Sequence, residues 1–169
     1  TTNIVDSNGT LLEQLKDSDS NRVYKKYDEI SPYMGKAFVA IEDERFYEHS
    51  GIDVQRIGSA ILSALANGGT ATYGGSTITQ QTVKLITGQD EHSTSRKVQE
   101  WFSAMALEQD LSKDEILELY INLAPMGNNF VGIQAAAQNY FGKDARELTL
   151  AESAFLAGLP KSPSYYNPM

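Results

Sequence analysis

Residues 94–123 read TSRKVQEWFSAMALEQDLSKDEILELYINL, and this stretch points to the fold class. The spacing of its apolar residues predicts a long helix over about Thr94–Gln109, with a buried side formed by Val98, Trp101, Phe102 and Met105. Ser112 and Glu115 then form a capping box, which predicts the start of a second helix because each side chain satisfies a free backbone N–H. Two successive helices with no strand pattern indicate a mainly α protein.

The same signals mark helix starts on both sides of this stretch. They comprise Pro at a first helical position, an Asp N-cap and two more capping boxes: Ser31-Pro32, Asp53, Thr77 with Gln80, and Thr149 with Glu152. The helix after Asp53 is expected to bury Val54, Ile57, Ile61, Ala64 and Leu65, and a helix of small residues is predicted over 131–141. Residues 1–30 are predicted to be an extended segment with a hairpin turn at Asn8-Gly9, followed by a helical domain over 31–169.

Composition limits the class of protein. With 169 residues, 41% of them hydrophobic and 21% charged, the chain can build one globular core. A net charge of -8 argues against nucleic-acid binding, which needs a basic surface. The absence of cysteine excludes disulfides and thiol catalysis, and two histidines are too few for a His-rich metal site.

The first candidate for chemistry is EDERFYEHSG, residues 42–51. It places Glu42, Asp43, Glu44 and Glu48 at one helix end and the following loop. A solvated acidic surface is the plain interpretation for any single acid. The neighbouring aromatic residue and Gly51 favour a positioned carboxylate that can act as a general base.

The second candidate is YGGSTITQQTVK, residues 73–84. Its plain interpretation is a glycine-rich loop that leads into a capped helix. A helix start also offers free N–H groups to an anion, and Gln80, Gln81 and Lys84 extend the polar surface. A nucleotide P-loop is excluded because no Gly-Lys-Ser/Thr follows the glycines. The stretch therefore suits a phosphate or sugar ligand.

The third candidate is RKVQE, residues 96–100. Lys97 and Glu100 are three residues apart, as in an ordinary helical ion pair. Arg96 and Lys97 lie in the first turn, where cations oppose the helix dipole, so a compensating anion is expected nearby. Glu108 and Glu118 are interpreted as solvated or salt-bridged helix residues.

Together these segments resemble the family-51 glycosyltransferases, the peptidoglycan polymerases of class A penicillin-binding proteins and of monofunctional enzymes. Five motifs carry the resemblance over nearly the whole chain: Glu42-Asp43 with Phe46, His49 and Gly51; Gly75-Ser76-Thr77 with Gln80, Gln81 and Lys84; Arg96-Lys97 with Glu100, Ala104, Leu107 and Glu108; Ile116-Leu117-Glu118 with Tyr120 and Asn122; and Leu148–Pro168. Each motif alone is weak, but five in order at compatible spacing are highly specific.

The resemblance implies a lysozyme-like, two-lobed helical fold with a membrane-facing jaw. It also implies the reaction, in which the 4-hydroxyl of lipid II attacks C1 of a growing glycan linked to undecaprenyl diphosphate. The product is a β-1,4 bond with inverted configuration. The implied location is the outer face of the bacterial cytoplasmic membrane. An N-terminal anchor and, in class A relatives, a transpeptidase domain that works with the cell-wall synthesis machinery are expected outside this sequence.

The resemblance also assigns roles to residues. Glu42 matches the general base, and Lys84, Arg96 and Lys97 match the cations that stabilise the departing diphosphate. The remaining positions are expected to bind substrate or to support the base: Ser76, Thr77, Gln80 and Gln81 for substrate, and Asp43, Phe46, His49 and His92 for support. Glu100 matches the family's second essential catalytic acid, with two roles left open: orienting Lys97 or Arg96, or binding a divalent ion such as Mg²⁺ or Mn²⁺.

The sequence departs from the family pattern at one position, and two other functions remain open. His92 occupies the loop position where the family often has arginine, so that diphosphate contact would be weaker or pH-dependent. A lysozyme-like enzyme that cleaves glycan remains an alternative because such folds also host hydrolases. The other alternative is an inactive module that binds lipid II or serves as a scaffold.

Overall fold

The computed structural model describes residues 2–5, 11–15, 23–66, 76–88 and 94–161, and their structure is mainly α-helical as predicted. The elements in chain order are β1 Thr2–Val5, β2 Leu11–Leu15, α1 Pro32–Glu42, α2 Val54–Ala66, α3 Ile78–Thr87, α4 Thr94–Asp110, α5 Lys113–Leu123, α6 Ile133–Phe141 and α7 Leu150–Gly158. Two 3₁₀ turns, Tyr27–Glu29 and Ala145–Glu147, complete the set. No helix in these described ranges is both long enough and apolar enough to span a bilayer.

The predicted helix starts are confirmed. Thr77 and Gln80 cap α3 reciprocally, with the Gln80 N–H donating to Thr77 Oγ1 and the Thr77 N–H donating to Gln80 Oε1. Equivalent boxes begin α5 and α7. In the N-terminal segment, β1 pairs antiparallel with β2, while the Asn8-Gly9 turn that would join them lies outside the described residues.

Two predictions about buried faces are wrong in part. Val54 is 69% exposed on α2, and on α4 Val98 and Phe102 are 41% and 66% exposed. Ile57, Trp101 and Met105 are half-buried, and the side chains of Ile61, Ala64 and Leu65 lie outside the described residues. The buried side of α4 is instead the one that carries Glu100 and Ala104. The reason is that α4 packs against α3, whose facing side chains are polar, so Val98 and Phe102 point outward.

The helix predicted over 131–141 begins two residues later. Val131 forms a bridge with Pro125, and Gly132 has φ +82°, so the backbone enters the helical conformation only at Ile133. The small residues Ala135, Ala136 and Ala137 are buried as expected of a closely packed helix.

The core is centred on α5. Ile116, Leu117 and Tyr120 are buried, and the Tyr120 ring meets Phe38 of α1 edge to face at a centroid distance of 5.1 Å. Fully burying such a side chain contributes about 1.5–3 kcal/mol. Helix α1 packs on α7. Because α5 packs on α3, this core also fixes the position of α3.

Residues of α5 also hold the segment that enters the domain. Tyr24 Oη and the Tyr27 N–H donate to the two carboxylate oxygens of Glu118 at 2.5 and 2.6 Å. Asn122, one turn later, exchanges two hydrogen bonds with the backbone of Lys25, each 2.8 Å. Burial, and then the hydrogen bond to Glu118, raise the pKa of Tyr24 to about 12. Glu118 therefore has a structural role, while the division of the chain at residue 30 stays a prediction.

Candidate active site

The first part of the candidate site lies where α1 ends. Glu42 is the last residue of α1, and its carboxylate Oε2 accepts a hydrogen bond from Gln81 Nε2 at 3.1 Å. Its backbone carbonyl accepts from Arg56 Nη1 at 2.7 Å. Glu42 Oε1 is buried and has no hydrogen-bond partner among the described residues. A carboxylate held by a single amide retains capacity to accept a proton.

A polar pocket of about 220 Å³ adjoins Glu42. Across it, the Arg45 guanidinium contacts both carboxylate oxygens of Asp53, which also caps α2 through the Arg56 N–H. Although burial alone would raise the pKa of Asp53, hydrogen bonds from the Arg56 N–H and from Arg45 hold it below its usual range. The lining residues are Ala40, Ile41, Glu42, Asp43, Glu44, Arg45, Asp53 and Arg56.

Asp43 connects the end of α1 to the start of α3. It is buried, and its Oδ2 accepts from the Ile78 N–H at 3.0 Å and lies 2.9 Å from His49 Nε2. The first N–H groups of a helix lack intrahelical partners and favour a negative charge. Asp43 supplies that charge, while Thr77 satisfies the N–H of Gln80. Two of the N–H groups that the sequence suggested for an anionic ligand are therefore used within the protein.

Behind Asp43 lies a second layer of ionic contacts. Lys113 Nζ donates to the His49 carbonyl at 2.6 Å, pairs with Glu108 at 2.7 Å and lies 4.5 Å from the centroid of the Phe46 ring. Thr79 Oγ1 also donates to Glu108, at 2.5 Å. Glu108 is thus salt-bridged, and Phe46 and His49 are placed where they can support Asp43 rather than contact a ligand.

The same region contains a close backbone contact. Gly51 has φ +93°, and a Cβ there would come within 2.7 Å of the Ala104 backbone in α4. Thr77 Oγ1 donates to the Gly51 carbonyl at 2.7 Å. Glycine is therefore required for this loop to lie against α4 and to hold the start of α3.

The second part of the candidate site is a cation cluster around Glu100 of α4. The buried Glu100 Oε1 accepts from Lys97 Nζ at 2.5 Å and from Gln80 Nε2 at 3.1 Å. Lys97 Nζ also donates to Ser76 Oγ at 2.8 Å, and Arg96 Nη1 lies 3.3 Å from Glu100 Oε2. Glu100 provides the compensating anion expected beside Arg96 and Lys97.

Helix α3 joins the two parts. Gln80 faces Glu100 and Gln81 faces Glu42, since consecutive helical residues point about 100° apart. Lys84 follows one turn later and is half-buried. The structure thus brings the predicted residues around Glu42 and around Glu100 against two neighbouring faces of one helix. His92 lies outside the described residues.

The surroundings of Glu100 do not fit a divalent-ion ligand. Its two oxygens face an ammonium, a guanidinium and an amide N–H, which are donors rather than fellow ligands. Mg²⁺ and Mn²⁺ require several oxygen ligands. Within the described ranges, no three His, Asp or Glu side chains are grouped closely enough to hold a metal. We therefore assign no step to a metal ion.

Two residues at the site were not predicted from the sequence to take part in the chemistry. Tyr120 was named only as part of the fourth motif, without a role, yet its hydroxyl donates to Gln81 Oε1 at 3.2 Å. Arg56 was not singled out, yet it binds the Glu42 carbonyl. The usable signal for Tyr120 was chemical, because a buried tyrosine hydroxyl usually has a hydrogen-bond partner.

Comparison with known proteins agrees with the five motifs. Residues 8–169 match the family model described as Transglycosylase. The chain is 46% identical to penicillin-binding protein 1A of Escherichia coli (strain K12), 45% identical to penicillin-binding protein 1A of Clostridium tetani and 43% identical to penicillin-binding protein 1F of Bacillus subtilis.

These similarities extend over nearly all of this chain but over a small part of each relative. They cover 98%, 97% and 98% of the chain, and 19%, 21% and 23% of the E. coli, C. tetani and B. subtilis proteins. The chain thus spans about a fifth of the length of its curated relatives. It belongs to the transglycosylase family, the family-51 glycosyltransferase domain whose motifs its sequence carries.

Proposed function

We propose that this domain is a peptidoglycan glycosyltransferase that polymerises lipid II into β-1,4-linked glycan and releases undecaprenyl diphosphate. The observation that carries the proposal is the arrangement around α3. One face of this helix contacts the Glu42 carboxylate, and another contacts Glu100, which pairs with the two cations Lys97 and Arg96. A reaction in which an alcohol attacks and a diphosphate leaves needs both a carboxylate that can take a proton and cations.

Glu42 acts as the general base in this proposal. As the bond forms between the acceptor 4-oxygen and the donor C1, the hydroxyl proton passes to the Glu42 carboxylate. The bond from C1 to the diphosphate oxygen breaks on the opposite face, so the configuration at C1 inverts. The Gln81 amide and the Arg56 contact to the Glu42 carbonyl support this carboxylate at the mouth of the polar pocket.

Lys97, Arg96 and Lys84 stabilise the negative charge that develops on the leaving diphosphate. Cations fixed before the reaction need little reorganisation in the transition state, which is why their placement matters. Glu100 provides that fixation, because it contacts Lys97 and Arg96 while remaining buried. This arrangement supports the orienting role for Glu100 over the metal-binding role.

The other predicted site residues divide by their contacts. Ser76, beside Lys97, is the residue proposed to bind a sugar or phosphate oxygen directly. Both polar atoms of the Gln81 amide are bonded to Glu42 and Tyr120, which favours a positioning role for Gln81. Gln80 and Thr77 use their polar atoms within the protein, which favours a positioning role over direct substrate binding. The buried contacts of Asp43, Phe46 and His49 likewise favour support of Glu42, and His92 remains a predicted diphosphate contact.

A polymerisation assay with purified lipid II tests the proposal. We expect the chain to convert lipid II into long glycan that lysozyme degrades, with release of undecaprenyl diphosphate. Shortening of lipid-free glycan would instead identify a glycan-cleaving enzyme. Binding of lipid II without formation of any polymer would identify a binding or scaffold module. Either cleavage without polymerisation or binding without polymerisation would contradict the proposed function.

We further propose that the domain works at the outer face of the bacterial cytoplasmic membrane. Its lipid-linked substrates are held in that membrane, and large apolar side chains are exposed on the helices near the site: Val54 and Leu62 on α2, Ile86 on α3, and Val98 and Phe102 on α4. An N-terminal anchor and a linked transpeptidase domain would belong to the longer protein, in keeping with relatives named for penicillin binding.

Removing one exposed ring should weaken membrane association. We expect Phe102→Ser to lower binding to phospholipid vesicles by roughly tenfold, because an inserted aromatic ring contributes about 1.5–3 kcal/mol. Co-sedimentation with vesicles measures the effect. Leu150→Ser is the control, since Leu150 is 61% exposed, as Phe102 is 66% exposed, but lies on α7. Equal losses in both variants, or none in Phe102→Ser, would count against α4 as part of the membrane-facing surface.

A further inference from the structure

The Glu42 carboxylate depends on a short chain of hydrogen bonds. Tyr120 Oη donates to Gln81 Oε1 at 3.2 Å, and Gln81 Nε2 donates to Glu42 Oε2 at 3.1 Å. Within the described part of the chain, Gln81 provides the one hydrogen bond to this carboxylate. The orientation of the Gln81 amide therefore decides how Glu42 is held.

A glutamine amide can present either its oxygen or its NH₂ group in a given direction, because the two are nearly equal in shape. Facing the ionised Glu42, only the NH₂ group is attractive, since a carboxylate accepts hydrogen bonds and donates none. The amide oxygen must then point away, towards α5. There it meets the hydroxyl of Tyr120, which stabilises the same orientation by donating to it.

Tyr120 is suited to this task because it is fixed. It lies in the middle of α5, is 1% exposed, and packs its ring edge against Phe38. Burial, and then the charge of Glu42, raise the pKa of Tyr120 far above its ordinary value, so its hydroxyl keeps the proton that it donates. A buried, protonated hydroxyl on a core helix forms a rigid reference point for the amide.

We propose that Tyr120 is a positioning residue for the general base. Through Gln81 it holds the Glu42 carboxylate in the direction from which it takes the proton of the attacking hydroxyl. Tyr120 contacts neither substrate nor Glu42 in this role. The proposal deepens the proposed function and rests on it for its kinetic consequence, but the orientation of the Gln81 amide can be measured without any activity.

The kinetic test uses Tyr120→Phe, which removes the hydroxyl and keeps the ring. We expect kcat for lipid II polymerisation to fall by roughly tenfold with little change in KM, because a small misplacement of a catalytic group slows the chemical step. Tyr140→Phe is the matched control, since its hydroxyl also donates to a buried residue, at the Met126 carbonyl, and neither residue lines the pocket beside Glu42. Wild-type kcat in Tyr120→Phe, or a raised KM with unchanged kcat, would overturn the proposal.

A double-mutant cycle separates positioning from a general structural effect. If Tyr120 acts through Gln81, adding Tyr120→Phe to Gln81→Leu should cause no further loss of kcat. Additive losses would show that Tyr120 acts by another route and would overturn the proposal. Thermal unfolding of the single variants should show similar small decreases in Tm for Tyr120→Phe and Tyr140→Phe.

An NMR measurement tests the amide orientation whatever the activity of the chain. The side-chain NH₂ resonances of Gln81 are identified by their loss in Gln81→Leu. They should shift or broaden in Tyr120→Phe and stay in place in Tyr140→Phe. If they are unchanged in Tyr120→Phe, the positioning role is wrong. If they respond while the wild-type chain makes no polymer, the proposed function fails and the link between Tyr120 and Gln81 stands.

Discussion

Glu42→Gln should reduce the rate of lipid II polymerisation by roughly 10²–10⁴-fold, because an amide cannot accept the proton of the attacking hydroxyl. The substitution keeps the shape of the side chain, and Gln81 remains beside it. Substrate binding should therefore change little, and the loss should fall mainly on kcat. Polymer formation followed by gel electrophoresis of labelled glycan measures the rate.

The matched control is Glu48→Gln, which removes one negative charge from the same acidic stretch. Glu48 is exposed and lies outside the pocket beside Glu42. Its replacement should leave the rate within about twofold of the unsubstituted chain, as expected of a surface residue. A polymerisation rate near normal in Glu42→Gln would exclude Glu42 as the base, and an equal loss in Glu48→Gln would point to a general effect of charge.

Lys97→Met should lower kcat by roughly 10²–10³-fold, since removing one preorganised donor to a developing negative charge has effects of this size. The ammonium group of Lys97 is held between Ser76 Oγ and Glu100 Oε1, and methionine keeps much of its length without its charge. A second consequence concerns stability. Buried Glu100 would keep Arg96 as its remaining cationic partner at 3.3 Å, so a modest decrease in Tm is also expected.

Lys143→Met provides a close control for this variant. Lys143 is 34% exposed and pairs with Glu152 at 2.6 Å, whereas Lys97 is 36% exposed and pairs with Glu100 at 2.5 Å. The two substitutions thus break similar ion pairs, of which only one lies at the candidate site. Activity should be lost in Lys97→Met and retained in Lys143→Met. Similar activities in the two variants would rule out the proposed role of Lys97.

Local sequence signals predicted the helices well, because capping involves residues three positions apart. The boxes at Thr77, Ser112 and Thr149 each form the reciprocal hydrogen bonds that their spacing requires. The Lys97–Glu100 pair, also three residues apart, is confirmed for the same reason. Interactions within a single helix can be inferred from the spacing of residues in that helix.

The parts that were not predicted depend on contacts between distant segments. The buried face of α4 was assigned to its largest apolar residues, but Phe102 points outward because α3 presents polar groups to α4. The hydrogen bond from Tyr120 to Gln81 joins residues 39 positions apart. The spacing of apolar residues within a helix cannot predict a contact between two helices. The roles assigned to the site residues remain predictions for the same reason, since they concern a ligand as well as the chain.

The neighbouring amides of α3 have a consequence for inhibition and for sequence change. Gln80 and Gln81 are joined by one peptide bond, yet one contacts the acid of the cation cluster and the other contacts the base. A rotation of α3 about its own axis would disturb both contacts together. The position of the base and the position of the cations therefore depend on the same helix. A compound that displaced α3 would impair proton transfer and departure of the leaving group together.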